Sequence, residues 1–472
     1  MKFIQTFWSA GLDPLKHGFG WSHPEYNLMS WALSCLSLRR YYDHVVLYTD
    51  SIGKHVLIDL LHLPYTEVNV VFDDFECLPQ HWALAKIYTY SLQKEPFIHV
   101  DGDVYLSHPL SNDVLSAPLV AQNKEVGTDY YQNMINRIVN NPNIKLPDCI
   151  GTSLSNNSLF SYNMGIFGGT NVSFIGNYCC QACEFINANG INDVNNENSR
   201  IDCNVFFEQI LFASLVENGN LDVSCIVNHQ LIDNGYTIEE FCNLFKFNEY
   251  ALFHLLGGHK RNKRVLNMLK HYVILNLRSL FLEITKLIYP IRISMRNNRV
   301  ISWGGDDSLD CFVKYVNVKL DEWRKNGIEK EIQIETNLAN SITCIEKFMK
   351  NDRSYGLYCV PSLVIYSFGK TLDANRDADV FRWFNCSEHF PLKDIAITRA
   401  MIGDDYAMEP LTDTEMKIIH AIRSGRRRLA DVAEYCMPIN LKETARQKRY
   451  HHILTELKYL IENEIVYINK IN

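Results

Sequence analysis

The stretch "FIHVDGDVYL", residues 97–106, is an apolar run that leads into two carboxylates separated by a glycine. The segment "PFIHVDGDVYL" is predicted as one buried strand, with Asp101 and Asp103 at its polar end. Two interpretations are open. The carboxylates hold a hard divalent cation, which prefers oxygen ligands, or they only cap the strand and its turn. Gly102 leaves the backbone free to bend and lets a ligand approach closely.

A second triplet of the same kind shows how little the spacing means alone. Asp377 and Asp379 in "ANRDADVF" follow a polar stretch and have no apolar strand before them. They are predicted to lie in a solvated turn. The apolar strand before Asp101 therefore distinguishes Asp101 and Asp103 from this second pair.

The residues upstream of this strand alternate between strand and helix patterns. In order they are the strand "MKFIQTFW", the helix "HPEYNLMSWALSCLSLRRYY", the strand "HVVLYTD", the helix "GKHVLIDLLHL", the strand "EVNVVFDD" and the helix "QHWALAKIYTYSLQ". This alternation predicts an α/β fold with a Rossmann-like, mostly parallel sheet covered on both faces. Ligands bind such open sheets at the carboxyl ends of the strands, where the acidic pair falls.

The rest of the chain predicts three regions, with boundaries near residues 265 and 405. Residues 1–265 hold the α/β domain, in which Asn-rich loops surround the strand "FSYNMGIFGGT" and the helix "IDCNVFFEQILFASLVENG" follows. Residues 266–405 form a helical linker and an α+β middle region, with a long helix or helix pair broken at Pro290. Residues 406–472 predict three helices and a closing strand, a pattern that resembles a winged-helix domain.

Composition narrows the class of protein. With 472 residues, 47% hydrophobic side chains and a formal net charge of -8, the chain is an ordinary globular protein whose surface as a whole does not suit nucleic acid. There is no apolar run of about 18 residues, so we expect a cytoplasmic protein. Among its 14 cysteines, Cys179, Cys180 and Cys183 are interpreted as reduced thiols, because no second Cys/His pair lies at zinc-site spacing.

Downstream, "HLLGGHK" places His254, Gly257 and Lys260 three residues apart. Imidazole is a good ligand for manganese, glycine lets backbone N–H groups meet phosphate oxygens, and an ammonium neutralises diphosphate charge. The alternatives are a core histidine and a solvated basic face. Lys86 lies on the helix before the acidic strand, and such a lysine alone is normally a surface residue.

Taken together, the segments "AKIYTYSL", "PFIHVDGDVYL", "SYNMGIFGG" and "HLLGGHK" resemble the A-type-fold nucleotide-sugar glycosyltransferases, closest to family 8, the glycogenin and galactosyltransferase-like enzymes. The resemblance covers residues 1–265. It implies that Asp101, Asp103 and His254 bind manganese or magnesium. It also implies cofactor-binding roles for Gly257 and Lys260 at the diphosphate, and for Lys86 at the donor.

The same resemblance implies residues around the donor sugar. Asn163 and Gly165 match the family's Asn-x-Gly strand. Where the family has Asp-Gln, this chain has Glu208 and Gln209, with Asp202 as the alternative carboxylate. The implied activity is transfer of a hexose from a UDP-sugar, with Glu208, Gln209 and Asn163 as catalytic residues and with retention of configuration.

Two other functions stay open from the sequence. The C-terminal cations would suit a DNA- or peptide-binding regulator with a non-catalytic sugar-nucleotide domain; they are Arg426, Arg427, Arg428, Arg446, Lys448 and Arg449. The basic segment 259–299 would suit peripheral contact with the inner membrane face, or a helix that packs its apolar side and exposes its cations. Its cations, which are expected to face almost no acidic residues, are Lys260, Arg261, Lys263, Arg264, Lys270, Arg278, Lys286 and Arg292.

Overall fold

The structure is a computed structural model that describes residues 1–126, 129–155, 159–228, 238–296, 318, 327–350, 352–369, 371–372, 387, 389–399, 406–439 and 441–471. The chain divides into two compact units, Met1–Met268 and Leu269–Asn472, which are described separately below. The three-part division at residues 265 and 405 stays a prediction. Asp377 and Asp379 lie outside the described residues.

The first unit begins with the predicted alternation of strands and helices. Its described strands are β1 (Lys2–Phe7), β2 (Val45–Thr49), β3 (Glu67–Val70), β4 (Phe97–Val100), β5 (Val104–Leu106), β6 (Val120–Glu125), β7 (Ser161–Gly169), β8 (Ser224–Cys225) and β9 (Leu252–His254). Its described helices are α1 (Pro24–Arg39), α2 (Ser51–Lys54), α3 (Ala83–Ser91), α4 (Asn112–Ser116), α5 (Asp129–Val139), α6 (Asp148–Ser155), α7 (Val172–Ala188) and α8 (Leu211–Asn218). Short π-helical turns at His55–Leu60 and Phe206–Ile210 adjoin α2 and α8, and a 3₁₀ turn spans Gly257–Arg261.

Among the described residues, seven strands form the central sheet in the order β3-β2-β1-β4-β7-β6-β8. The pairs from β3 to β4 are parallel, β7 runs antiparallel to β4 and β6, and β8 is parallel to β6. Strands β2 and β4 are buried along their whole length, as expected for a sheet covered on both faces. The predicted α/β class with a mostly parallel sheet is confirmed.

The acidic strand is not the single strand that the sequence predicts. It breaks after β4, and β5 leaves the central sheet to pair antiparallel with β9. The N–H of Val104 donates to the carbonyl of Asp101 at 3.1 Å, which closes a tight turn at the break. A Cβ on Gly102 would lie 2.3 Å from Cε2 of Trp31, so only glycine fits at the centre of this turn.

An aromatic core lies behind the end of the sheet that carries this turn. Phe167 of β7 packs against Phe212 of α8, with ring centroids 5.1 Å apart, and Tyr178 of α7 meets the same ring at 5.4 Å. All three side chains are buried, and each contributes about 1.5–3 kcal/mol of burial free energy. This core fixes the helices behind the turn. Cys179 lies beside it on α7, whereas Cys180 and Cys183 are exposed free thiols, and no described metal-ligand group includes them.

The second unit holds the predicted three helices and closing strand. Its described elements, with the helix that begins just before its boundary, are α9 (Lys263–Asn276), α10 (Arg278–Arg296), α11 (Ile328–Met349), β10 (Tyr355–Cys359), β11 (Val364–Ser367), β12 (Asp394–Arg399), β13 (Tyr406–Leu411), α12 (Asp413–Arg423), α13 (Leu429–Cys436), α14 (Glu443–Glu462) and β14 (Val466–Lys470). Strands β11, β12 and β13 form an antiparallel sheet, and β14 pairs antiparallel with β10.

The predicted helix break at Pro290 is wrong. Pro290 lies inside α10, and the change of helix falls at Leu277, between α9 and α10. Proline has no N–H to donate to the carbonyl four residues earlier, which here belongs to Lys286. Pro290 and Lys286 are both exposed, so this carbonyl lies on the exposed side of the helix. None of the described helices has both the length and the apolar character needed to cross a bilayer.

Candidate metal centre

Three side chains converge beside the turn between β4 and β5. Asp101, Asp103 and His254 each place a ligand atom within 4.8 Å of the others. His254 ends β9, where it pairs with Val104, and the N–H of Leu255 donates to the carbonyl of Asp103 at 3.0 Å. Backbone pairing between β5 and β9 thus brings together residues that lie far apart in the sequence.

Asp103 is held in its ionised form by its contacts with Lys260 and His254. Burial alone would raise the pKa of this carboxyl, but Lys260 and His254 lower that pKa well below its usual range. Nζ of Lys260 lies 2.5 Å from Oδ2, and Nε2 of His254 lies 3.6 Å from Oδ1. Asp103 therefore offers a carboxylate to a cation at neutral pH.

The environment of Asp101 differs from that of Asp103 and gives Asp101 the higher affinity for a proton. Burial raises the pKa of Asp101 to about 6, although Lys86 opposes the shift. Nζ of Lys86 lies 3.0 Å from Oδ1 of Asp101 and also pairs with Glu208. Burial would lower the pKa of Lys86, but the two carboxylates raise that pKa above its usual range, so Lys86 is a fixed cation. The alternative interpretation of Lys86 as a surface residue is wrong.

Gly165 provides the space that His254 occupies. A Cβ on Gly165 would lie 2.5 Å from Cε1 of His254 and 2.6 Å from Oε1 of Gln122. Asn163 holds this part of β7, because its Oδ1 accepts from the N–H of Gly165 at 2.9 Å and its Nδ2 donates to Glu125 at 3.1 Å. These contacts hold β7 in place behind the imidazole.

Of the two candidate sugar-contacting carboxylates, Glu208 lies with the site and Asp202 does not. Glu208 is fully buried against Lys86, and Gln209 next to it accepts a hydrogen bond from the hydroxyl of Tyr131 at 2.7 Å. Asp202 instead accepts from the backbone and side-chain N–H groups of Asn204, at 3.2 and 3.0 Å.

The segment "HLLGGHK" turns back toward Asp103. Gly257 has a left-handed φ of +52°, which favours glycine, and it begins the turn that carries Lys260. Nζ of Lys260 also lies 5.8 Å from the centroid of the Trp21 ring. The contact with Asp103 means that Lys260 is not simply part of a solvated basic face.

One residue of this site was missed from the sequence. Gln122 is fully buried on β6, and its Oε1 lies 2.8 Å from Nδ1 of His254. The signal in the sequence is a polar glutamine inside the apolar run "LVAQN".

Two arginines of the C-terminal basic group make internal contacts in the second unit. Arg427 donates to the carbonyls of Leu357 and Ile422 at 3.2 and 3.0 Å, and Arg449 donates to the hydroxyl of Thr414 at 2.9 Å. These contacts link the C-terminal helices to one another and to β10.

The prediction that the basic segment has almost no acidic partners is wrong for Lys270. Its Nζ lies 2.9 Å from both Glu335 and Glu464, and Nε2 of His271 lies 2.7 Å from Glu464. All four side chains are buried. The acids come from positions far along the chain, which local sequence does not reveal.

The sequence was compared with protein-family models and with curated proteins. A model of a family of unknown function, DUF6734, matches residues 1–287 of the 472-residue chain. No curated protein matches the chain. Since the matched segment covers more than half of the sequence, the chain belongs to the family of unknown function DUF6734.

Proposed function

We propose that the protein is a metal-dependent glycosyltransferase that transfers a hexose from a nucleotide diphosphate sugar, a UDP-sugar, to an acceptor. The observation that carries the proposal is the convergence of Asp101, Asp103 and His254 within 4.8 Å, with the ammonium of Lys260 beside them. A divalent cation and a lysine together are what a leaving diphosphate requires.

The residues fit a manganese or magnesium ion. Two carboxylates and one imidazole are ligands that manganese accepts, and three protein ligands leave positions for phosphate oxygens. Gly165 leaves the space that His254 occupies, and Asp103 is ionised at neutral pH. A bound cation supplies Lewis-acid stabilisation of the leaving diphosphate.

The lysines have separate roles in this proposal. Lys260 lies at the edge of the site, 23% exposed, and neutralises charge on the diphosphate as the glycosidic bond breaks. Lys86 is buried between Asp101 and Glu208, where it fixes both carboxylates in position. Glu208 and Gln209, with Asn163 and Gly165, are proposed to face the donor sugar. Retention of configuration rests on the resemblance to family 8.

We also propose that the first unit has the A-type glycosyltransferase fold and that the end of the second unit is winged-helix-like. The mostly parallel sheet with an acidic turn after β4 supports the first assignment. The order of α12, α13, α14 and β14, with β14 paired to β10, supports the second. The regulator alternative has less support, because Arg427 and Arg449 are engaged in internal hydrogen bonds.

The proposal is tested with a panel of UDP- and GDP-sugars assayed for manganese-dependent donor hydrolysis. Wild type is compared with Asp103→Ala and with Asp113→Ala, a control that removes an exposed carboxylate of α4. We expect turnover in wild type and in the control, and its loss in Asp103→Ala or after chelation. Turnover that survives both chelation and Asp103→Ala would refute the metal site.

A further inference from the structure

An imidazole binds a metal through the ring nitrogen that carries no proton. Which nitrogen is free depends on the hydrogen bond made by the other one. At His254, Nε2 faces Asp103 and Nδ1 faces Gln122. The group that contacts Nδ1 therefore decides whether Nε2 is available to a cation.

Gln122 presents an acceptor to His254. Its Oε1 lies 2.8 Å from Nδ1, while its Nε2 donates to Oδ1 of Asn123 at 3.0 Å. With its Nε2 on Asn123, the amide of Gln122 turns its oxygen toward the imidazole. An amide oxygen only accepts, and Nδ1 must therefore carry the proton.

The backbone around Gln122 is irregular. Ala121 pairs with Phe167 and Asn123 pairs with Asn163, so Gln122 faces a widened section of β7 that includes Gly165. Irregular pairing of this kind re-aims side chains and is frequent next to active sites. The N–H of Val227 donates to the carbonyl of Gln122 at 2.8 Å, which anchors the residue from the other side.

The remaining ring nitrogen has the geometry of a metal ligand. Nε2 of His254 lies 3.6 Å from Oδ1 of Asp103, which is longer than a direct hydrogen bond. In the neutral ring with its proton on Nδ1, the lone pair of Nε2 points toward this gap.

We propose that Gln122 is a positioning residue that holds His254 in its Nδ1–H tautomer, so that Nε2 is the nitrogen that binds the metal. The inference rests on the proposed metal site. It extends that proposal by naming a residue on β6 that acts only through the imidazole.

The test measures manganese binding and not turnover. Manganese titrations with and without UDP compare wild type, Gln122→Met, which keeps the length but has no acceptor, and Gln122→Glu, which restores an oxygen acceptor. Pulsed electron paramagnetic resonance of the bound Mn²⁺ reports nitrogen coordination directly. Gln93→Met is the matched control, because Gln93 is also a buried, hydrogen-bonded glutamine.

We expect Gln122→Met to bind manganese about 10- to 100-fold more weakly and to lose the nitrogen signal, as when other outer partners of metal ligands are removed. Gln122→Glu and Gln93→Met should keep both. Binding within twofold of wild type in Gln122→Met, with the nitrogen signal intact, would overturn the role of Gln122 and leave the metal site standing.

The other outcomes are also decisive. If Gln122→Met does not fold, Gln122→Glu carries the test, and a loss of more than tenfold in that variant contradicts the proposal. If wild type binds no manganese even with UDP, the proposed function itself fails, and the role of Gln122 fails with it.

Discussion

The substitution Gly165→Ala tests how closely the proposed metal centre is packed. The added Cβ would lie 2.5 Å from Cε1 and 2.8 Å from Nδ1 of His254, and ordinary contact begins at 3.4 Å. The ring therefore has to retreat by about 0.9 Å, the difference between 2.5 and 3.4 Å. Gly165 has no left-handed φ, so alanine adds no backbone strain there and the effect is steric.

In enzymes, misplacing a reacting group by about 1 Å can lower the reaction rate by about 100-fold. We expect Gly165→Ala to weaken manganese binding by about 10- to 100-fold, or about 1.4–2.8 kcal/mol. The assay is a calorimetric manganese titration in the presence of UDP, with thermal melting to confirm folding. The matched control is Gly176→Ala in α7, where an added Cβ meets nothing within 4 Å. A folded Gly165→Ala protein that binds manganese within twofold of wild type would refute this steric account.

Three further predictions concern the charges of the site. Lys86→Met leaves Asp101 and Glu208 buried without their shared cation, and we expect urea unfolding to show a loss of about 3–5 kcal/mol in the free energy of unfolding. The pKa of Asp101 is raised to about 6, so the folded protein favours the protonated carboxyl. This preference stabilises the folded state below the ordinary pKa of an aspartate, and the stabilisation is lost as the pH rises through about 6. Manganese needs the ionised form, so calorimetric titrations should show its affinity falling by up to about tenfold per unit as pH drops below 6. Lys260→Met removes the cation that pairs with Asp103, and we expect manganese alone to bind more tightly while the gain in manganese affinity on adding UDP becomes smaller.

Each of these predictions has a contrary result. A loss below about 1 kcal/mol in Lys86→Met, the value typical of exposed pairs, would contradict the role of the buried cation. Lys54→Met is its control, since Lys54 pairs with Asp59 at 3.6 Å and both side chains are exposed. A manganese affinity that does not change between pH 5 and 7 argues against the account of Asp101. Weaker binding of manganese alone in Lys260→Met argues against competition between ammonium and metal.

The local patterns of the sequence predict much of the first unit. Alternating strand and helix patterns predict β1 to β4 and the helices between them, because their periods are set by neighbouring residues. The acidic turn was also found, since it directly follows a buried strand. The departure of β5 from the central sheet could not be predicted, because its partner β9 lies far along the chain.

The missed features share one cause. The role of Gln122 depends on irregular pairing between β6 and β7, and the burial of Lys270 depends on Glu335 and Glu464. Long-range partners of this kind leave no periodic signal near the residue itself. Pro290 was misinterpreted for a different reason, because a helix tolerates proline where the freed carbonyl lies on an exposed side.

The candidate site can form during synthesis only after β9 is available to pair with β5. Three residue pairs join these strands, and a slip by one residue would turn His254 to the opposite face. His254 leaves the ribosome about 150 residues after Asp103, which at about 5–20 residues per second is a delay of roughly 8–30 s. At the proposed metal site, binding by all three ligands therefore cannot guide folding of the first unit before His254 has been synthesised.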